Sequence, residues 1–361
     1  MMKNKKLTIA VLMGGRSAEH EVSLQSARNI VNALDKNKYT VVPIGITRDG
    51  KWFVYKNMNY LLHAEDPKKI KLAGSNLHCT FSIERKGVLE ISDGTSKKID
   101  VVFPVLHGPY GEDGSMQGYL KLAGVPFVGA GVLGSAVGMD KDVMKRLLTV
   151  SGIKNARAYV LHVGEKITYQ KVSALLGNTL FVKPANLGSS VGVSKVRNTK
   201  EFNKAVTEAL LYDRKILIEE AVPGRELECA VLGNEKPIAS VVGEVVLTAD
   251  FYSYDAKYID SDGARTDIPA VGVPKDVVQK IQKIAVDTYR ALCCEGLGRV
   301  DVFLRPDGEI YVNEINTLPG FTAISMYPKL FRESGLPVEH LLDRLIKFAL
   351  ARHTAEEKLK N

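Results

Sequence analysis

Three features of this sequence predict an α/β chain of two or three domains that opens on a parallel, Rossmann-like sheet. Its 361 residues exceed a single ordinary domain of roughly 100 to 200 residues. Residues 7–13, LTIAVLM, form an unbroken apolar run, as a strand buried on both faces of a parallel sheet requires. A helical apolar repeat and a second strand follow within about forty residues, which makes a β-α-β unit.

Composition narrows the class. Apolar residues are 45% and charged residues 25%, ordinary for a folded globular protein, so disordered and disulfide-scaffold classes are excluded. Lysine plus arginine exceeds aspartate plus glutamate, 49 against 41, for a net charge of +8. The charge is dispersed, and its tightest clusters (KNKK, PKKIK and the tail TAEEKLKN) interleave no aromatics, so no nucleic-acid partner is expected. MMKNKK before LTIAVLMGG imitates a secretion signal, but Gly14, Gly15 and Arg16 follow without a cleavage site. No stretch approaches the ~18 apolar residues that cross a bilayer. Cys79, Cys229, Cys293 and Cys294 lack metal or redox spacing and read as buried thiols in a reducing compartment. The expectation is a cytoplasmic protein with no membrane partner.

Taken in order, Leu24, Ala27, Ile30, Val31 and Leu34 repeat at helical spacing, and 39–47 alternates as a strand. Further strands are expected at 101–106 and 125–128, with 56–98, polar and irregular, as a peripheral excursion. A second unit begins near Gly131, with helices at 141–150 and 166–176. LFVKPA, VGVSKV, ILIEEAV, ELECAVLGN and PIASVVGEVV then read as short strands around one helix at 200–211. Residues 247–269 are rich in Asp, Ser and Tyr and lack periodicity. A loop of that length is commonly an active-site lid. Helices return at 275–294 and 338–352, bracketing the strand pair GRVDVFL and EIYVNEIN.

Several motifs carry chemistry. A GxGxxG at Gly129, Gly131 and Gly134 invites a dinucleotide reading, yet 143–164 contains no acidic residue to hold a ribose. It reads as a tight turn between units. KPANLGSSVGVSKV places a small-residue loop, 186–192, after Lys183. Successive backbone N–H groups there can cradle a polyphosphate beside that lysine. A plain hairpin turn would share the glycines but has no need of two serines and a strand-end lysine. The turn RPDG at 305–308 closes a hairpin. With Leu304 opposite Glu309, position 301 faces 312 and 299 faces 314, so Arg299, Asp301, Glu314 and Asn316 share one face with Phe303, Val312 and Ile310. Two carboxylates and an amide oxygen make a hard-oxygen site suited to Mg²⁺. The alternative is a surface face carrying a salt bridge, against which the apolar neighbours argue. His20 and His107 have no second histidine at ligand spacing, and no GxSxG elbow supports hydrolase chemistry.

GGRSAEHEVSL, LHGPYGEDGSMQG, MDK at 139–141, KPANLGSSVG, IEEAVPGRELE, YDAKY, GRVDVFL and NEINTLPGFT with Ser325 together resemble the D-alanine:D-alanine ligases of the ATP-grasp superfamily. They stand in that family's order across nearly the whole chain. The resemblance implies a three-domain ATP-grasp architecture: an N-terminal parallel-sheet substrate domain at 1–130, a central domain at 131–220, and a C-terminal domain at 221–361 with the metal site and the 247–269 lid. By motif, Lys141 and Lys183 match ATP-phosphate lysines, Glu219, Ala221 and Val222 the adenine edge, and Glu226 the ribose contact. Lys257 matches the partner of the transferred phosphate. Glu19 matches the acid that holds the first D-alanine's ammonium, with His107 also placed among the substrate-binding residues. Ser189 and Tyr258 match a pair that closes the site, and a tyrosine at that position is associated with D-alanine rather than D-lactate as second substrate. Arg299 and the Gly320 N–H match oxyanion stabilisers, Ser325 a carboxylate receiver, and Asp301, Glu314 and Asn316 magnesium ligands. The implied partners are ATP and D-alanine, with two Mg²⁺ for which Mn²⁺ can substitute, in a homodimer. Rival readings are another ATP-grasp carboxylate-amine ligase or a D-lactate-using relative, a nicotinamide dehydrogenase, and a non-catalytic ATP-binding protein.

Overall fold

The structure is a computed structural model that describes residues 6–247 and 264–360. Its first sheet runs in the order Trp52–Val54, Tyr39–Ile46, Leu7–Gly14, Val101–Val105. Leu7–Gly14 is parallel to both neighbours, so its residues face cover on two sides and Ile9 to Met13 are fully buried. Ile9, Val11 and Met13 meet the helices His20–Ala33 and Val338–Glu357. Ala10 and Leu12 meet Phe81 and Leu89 on the other side.

That second layer corrects the expectation for 56–98. The segment holds the paired strands Leu61–Leu62 and Lys71–Leu72 and a small sheet of Cys79–Phe81, Val88–Ile91 and Ser96–Lys98. It supplies the cover a parallel sheet needs on both faces, through a few buried residues set among polar ones. The strand expected at 125–128 is also corrected. Val102 bonds only to the Pro126 carbonyl and the Val128 N–H, leaving an isolated bridge, because proline has no N–H with which to continue a ladder.

The second sheet is antiparallel, in the order Ala158–His162, Lys215–Glu220, Leu180–Pro184, Ser194–Val196. Helices Tyr169–Leu176 and Thr199–Ala209 cover one face around Phe202, Ile216 and Ile218. Leu217 and Glu219 alternate onto the opposite face. The third sheet is also antiparallel: Ala264–Asp267, Ile238–Leu247, Arg225–Leu232, Leu297–Leu304, Ile310–Asn316, so the end of the loop expected at 247–269 is corrected to a strand that pairs with Glu244 to Leu247. Helix Lys275–Ala291 packs on one side through Ile281, Ala285 and Tyr289, and helix Met326–Glu333 on the other.

The hairpin register differs from expectation. Leu304 pairs with Ile310 and Val302 with Val312, then a bulge leaves Asn313 unpaired and Asp301 meets Glu314, Arg299 meets Asn316. The four polar residues do share a face. Val312 and Ile310 do not join them: with Val300 and Val302 they belong to the core under helix Lys275–Ala291. The extra residue shifts the alternation between the two ends.

The GxGxxG glycines serve close packing. A Cβ on Gly134, within helix Val132–Met139, would sit 2.5 Å from the Cys293 carbonyl. Cys79, Cys229 and Cys294 are buried as expected, whereas Cys293 is exposed, a correction. No helix of the described residues is long and apolar enough to cross a membrane.

Candidate active site

The hairpin sets the floor of the site. Arg299 donates to both Asp301 oxygens at 2.7 Å and its Nε lies 2.9 Å from Glu228 Oε2. Asn316 Nδ2 donates to Asp301 Oδ2 at 3.1 Å, which leaves the Asn316 amide oxygen pointing away from that carboxylate. Asp301, Glu314 and Asn316 therefore offer hard oxygen donors on one surface. Among the described residues no group of three or more His, Cys, Asp or Glu is placed to hold a metal. Two carboxylates with one amide is the sparse set that suits magnesium when substrate phosphates complete its shell.

Lys141 opens the helix Lys141–Val150, whose N-cap Asp140 accepts the N–H groups of Asp142 and Val143. Its Nζ donates to the Leu187 carbonyl at 2.9 Å and lies 3.4 Å from Glu314 Oε2. Nearby, Lys183 Nζ and Lys145 Nζ lie 2.6 Å and 2.9 Å from the two oxygens of buried Glu219. Burial works to raise the Glu219 carboxyl, but the two ammonium groups outweigh it and hold it below its ordinary range. For Lys145 burial wins and lowers its pKa. Two cations on one carboxylate leave a positive surplus, ready for an anion.

Over the floor lies the loop 186–192. Ser189 donates to Glu19 Oε1, and Ser189 and Ser190 hold left-handed φ of 53° and 59°, a conformation that costs non-glycine residues energy and clusters at functional sites. Glu19 is the N-cap residue of helix His20–Ala33, where a carboxylate is favoured. On the far wall Ser325 Oγ accepts from the Thr322 N–H at 2.9 Å. A Cβ on Gly320 would stand 2.9 Å from that same oxygen, so the Gly320 backbone lies close against the Ser325 hydroxyl.

One cavity is lined by Glu19, His107, Ser189, Glu226, Arg299, Asp301, Glu314, Asn316, Gly320 and Ser325, the core of the residues the sequence singled out. Lys141 adjoins it through Glu314, while Ala221 and Val222 line a neighbouring cleft with Lys145. Lys257 and Tyr258 lie outside the described residues. Two acids were missed. Glu228 stands two residues beyond Glu226 on the strand Arg225–Leu232, so alternation alone could have placed it on the same face. Glu112 left no such signal. It accepts the Gly108 N–H at 2.6 Å and the Leu318 N–H at 3.2 Å, while His107 Nδ1 meets the Leu318 carbonyl at 3.0 Å. That bond to a carbonyl makes Nδ1 the protonated nitrogen, so buried Nε2, which has no partner among the described residues, is left as an acceptor. Burial, reinforced by Glu19, pushes the Glu112 carboxyl up to about 8, and burial lowers His107. Both are neutral near pH 7.

Comparison with known proteins now decides the family. The family described as D-ala D-ala ligase N-terminus matches residues 8–130, and that described as D-ala D-ala ligase C-terminus matches residues 147–347. The chain belongs to the D-alanine–D-alanine ligase family. It is 51% identical to the D-alanine–D-alanine ligase of Oceanobacillus iheyensis, over 99% of this chain and 98% of that one. It is 50% identical to D-alanine–D-alanine ligase A of Escherichia coli (strain K12), over 99% of each. Among solved structures, the ligase of Coxiella burnetii superposes with a TM-score of 0.83 at 40% identity, covering 98% of both chains. A D-Ala:D-Ser ligase from Enterococcus faecalis gives 0.83 at 37% identity, covering 96% of this chain and all of the other. The fold of this ligase-family chain is the ATP-grasp, and its family uses ATP with a divalent metal.

Proposed function

We propose that this chain joins two D-alanines to D-alanyl-D-alanine with consumption of ATP, the step that supplies the dipeptide for peptidoglycan synthesis. The observation that supports the reading is one cavity lined together by Glu19, Arg299, Ser325 and the oxygen donors of Asp301, Glu314 and Asn316. The carboxylate of the first D-alanine attacks the γ-phosphorus of ATP, releasing ADP and forming an acyl phosphate. The amine of the second attacks its carbonyl carbon, losing a proton, and the tetrahedral intermediate expels inorganic phosphate.

Glu19 holds the first ammonium, and the neutral His107 Nε2 accepts a hydrogen bond from it. Lys141 and Lys183 offset the phosphate charge, with Glu219, Ala221, Val222 and Glu226 around the nucleoside. Arg299 and the Gly320 N–H receive the oxyanion, and Ser325 the second carboxylate. Mg²⁺, two ions with Mn²⁺ as a substitute, would be held by Asp301, Glu314 and Asn316, and supplies charge neutralisation to the phosphates. Ser189, with Tyr258 and Lys257 of the proposed 247–269 lid, keeps water from the acyl phosphate.

The reading brings with it a cytoplasmic location, a homodimer, and a division into domains at about residues 130 and 220, each part holding its own sheet. The deciding experiment measures phosphate released from ATP with D-alanine, L-alanine or D-lactate supplied. Release with D-alanine alone, matched by dipeptide, is expected. Equal release with all three would reject the assignment.

A further inference from the structure

Both ends of the loop 186–192 rest on one short piece of chain, residues 212–213, just beyond the helix Thr199–Ala209. At the first end Asp213 Oδ2 accepts the backbone N–H of Asn186 at 2.8 Å and its side-chain Nδ2 at 2.9 Å. At the other end Gly192 has φ +70°, and a Cβ built on it would lie 2.9 Å from the Tyr212 ring and 3.0 Å from Pro184. The loop is thus clasped at both roots by neighbouring side chains that do not line the substrate cavity.

The same segment also holds the helix that carries Lys141. Asp213 Oδ1 accepts the Lys215 N–H at 3.1 Å. The Lys215 carbonyl accepts from the Ala185 N–H, and the Ala185 carbonyl from the Lys141 N–H, both at 3.0 Å. Lys215 Nζ then reaches the oxygens of the cap residue Asp140 at 2.8 and 2.7 Å, and Asp142 at 3.0 Å. Two parts of the site, the Ser189 hydroxyl and the Lys141 ammonium, therefore take their positions from one anchor. They also touch each other's segments, since Lys141 Nζ donates to the Leu187 carbonyl within the loop.

We infer that Asp213 is a positioning residue for the ligase reaction: by pinning Asn186 it sets where Ser189 meets Glu19 and where the loop backbone meets Lys141. The inference rests on the ligase reading above. Asp213 contacts no reacting atom, so its removal should act through geometry. A displacement of about 1 Å in such a site can cost about 100-fold in rate. A loop loosened at its root also admits water, which converts acyl phosphate back to carboxylate and phosphate, so ADP is formed without dipeptide.

The test measures ADP and dipeptide separately for the full chain with Mg²⁺, ATP and D-alanine, alongside melting temperature. Asp213→Ala is expected to lower kcat between about ten- and a hundredfold, with more than one ADP per dipeptide. Asp213→Asn should recover part of the turnover, because its amide oxygen still accepts from Asn186 although its amide nitrogen cannot accept the Lys215 N–H. Asn186→Ala should lose turnover at an unchanged melting temperature, and the double variant should lose less than the product of the two single losses, as residues acting through one contact do. Wild-type turnover and one ADP per dipeptide in Asp213→Ala would overturn the inference, as would losses that multiply in the double variant. Should Asp213→Ala fail to fold, wild-type behaviour of Asn186→Ala overturns it instead. A wild-type chain that makes no dipeptide would reject the ligase reading itself, a result visible before any variant is compared.

Discussion

At the scale of single residues, the site works by unequal pairing of charge. Glu314 has Lys141 at 3.4 Å and faces Asp301 across the hairpin, so one ammonium offsets part of the negative charge that the two carboxylates bring together. Glu314→Gln keeps the volume and removes the charge. It should fold normally and lose more turnover than the roughly 10- to 100-fold that removal of an outer-shell partner costs a metal site. Turnover measured against Mg²⁺ concentration checks this, and wild-type rates at limiting Mg²⁺ would reject the metal assignment. Glu112 makes a different prediction. Its carboxyl is raised to about 8 by burial first and by Glu19 second, against its two N–H donors and Lys141. The folded chain therefore keeps a proton that the unfolded chain releases near 4.5. Stability should fall as pH rises between those values, by at most about 1.4 kcal/mol per pH unit. Melting temperatures from pH 5 to 9 should slope less in Glu112→Gln, and parallel slopes would count against a buried neutral acid. Of these residues, Glu314 was legible because it belongs to a strand with regular alternation. Glu112 was not, because its partners are backbone N–H groups whose positions only the tertiary fold sets.

At the scale of elements, the hairpin shows how a correct grouping can come from an incomplete register. The turn at 305–308 is readable from RPDG, and simple alternation puts Arg299, Asp301, Glu314 and Asn316 together. The bulge at Asn313 makes that grouping true while sending Val312 and Ile310 to the core. Nothing in the residue pattern announces a bulge there, since no glycine marks it. Inserting one alanine between Asp301 and Val302 should give Asn313 a partner and so turn Asp301 and Glu314 toward the apolar face, or force the strand to slip. The expected result is loss of Mg²⁺-dependent nucleotide binding in calorimetry, with destabilisation of roughly 1–3 kcal/mol. Retained binding would mean that the bulge does not set the face. Long elements such as the strand at 7–13 and the helix at 141–150 were plain in the sequence. The helices Ser115–Leu122, Val132–Met139 and Met326–Glu333 escaped it, since two turns show too few repeats of a 3.6-residue period, and two glycines dilute the second.

At the scale of the molecule, the site is where the three larger sheets meet. The first joins the second through Glu19 and Ser189. The second joins the third through Lys141 and Glu314, and the third joins the first through Leu318, held by His107 and Glu112. The first and third sheets also share one apolar core, whereas the second sheet's contacts at the site are polar and few, so an occupant that bonds to all three should stabilise the chain as one body. At free nucleotide a hundred times its Kd, with Mg²⁺ present, the gain is about 2.7 kcal/mol. An unfolding entropy of about 2.1 cal/mol/K per residue converts that to a rise of roughly 3–4 °C for a chain of this size. Calorimetry with and without ATP and Mg²⁺ should show the whole transition moving together. Lys141→Met should abolish most of the shift, because it removes both the proposed phosphate contact and a link between the second and third sheets. Lys200→Met, on the exposed side of helix Thr199–Ala209, should leave the shift intact. If nucleotide moved only one of several separate transitions, or if Lys141→Met kept the full shift, the three sheets would not be joined through this site.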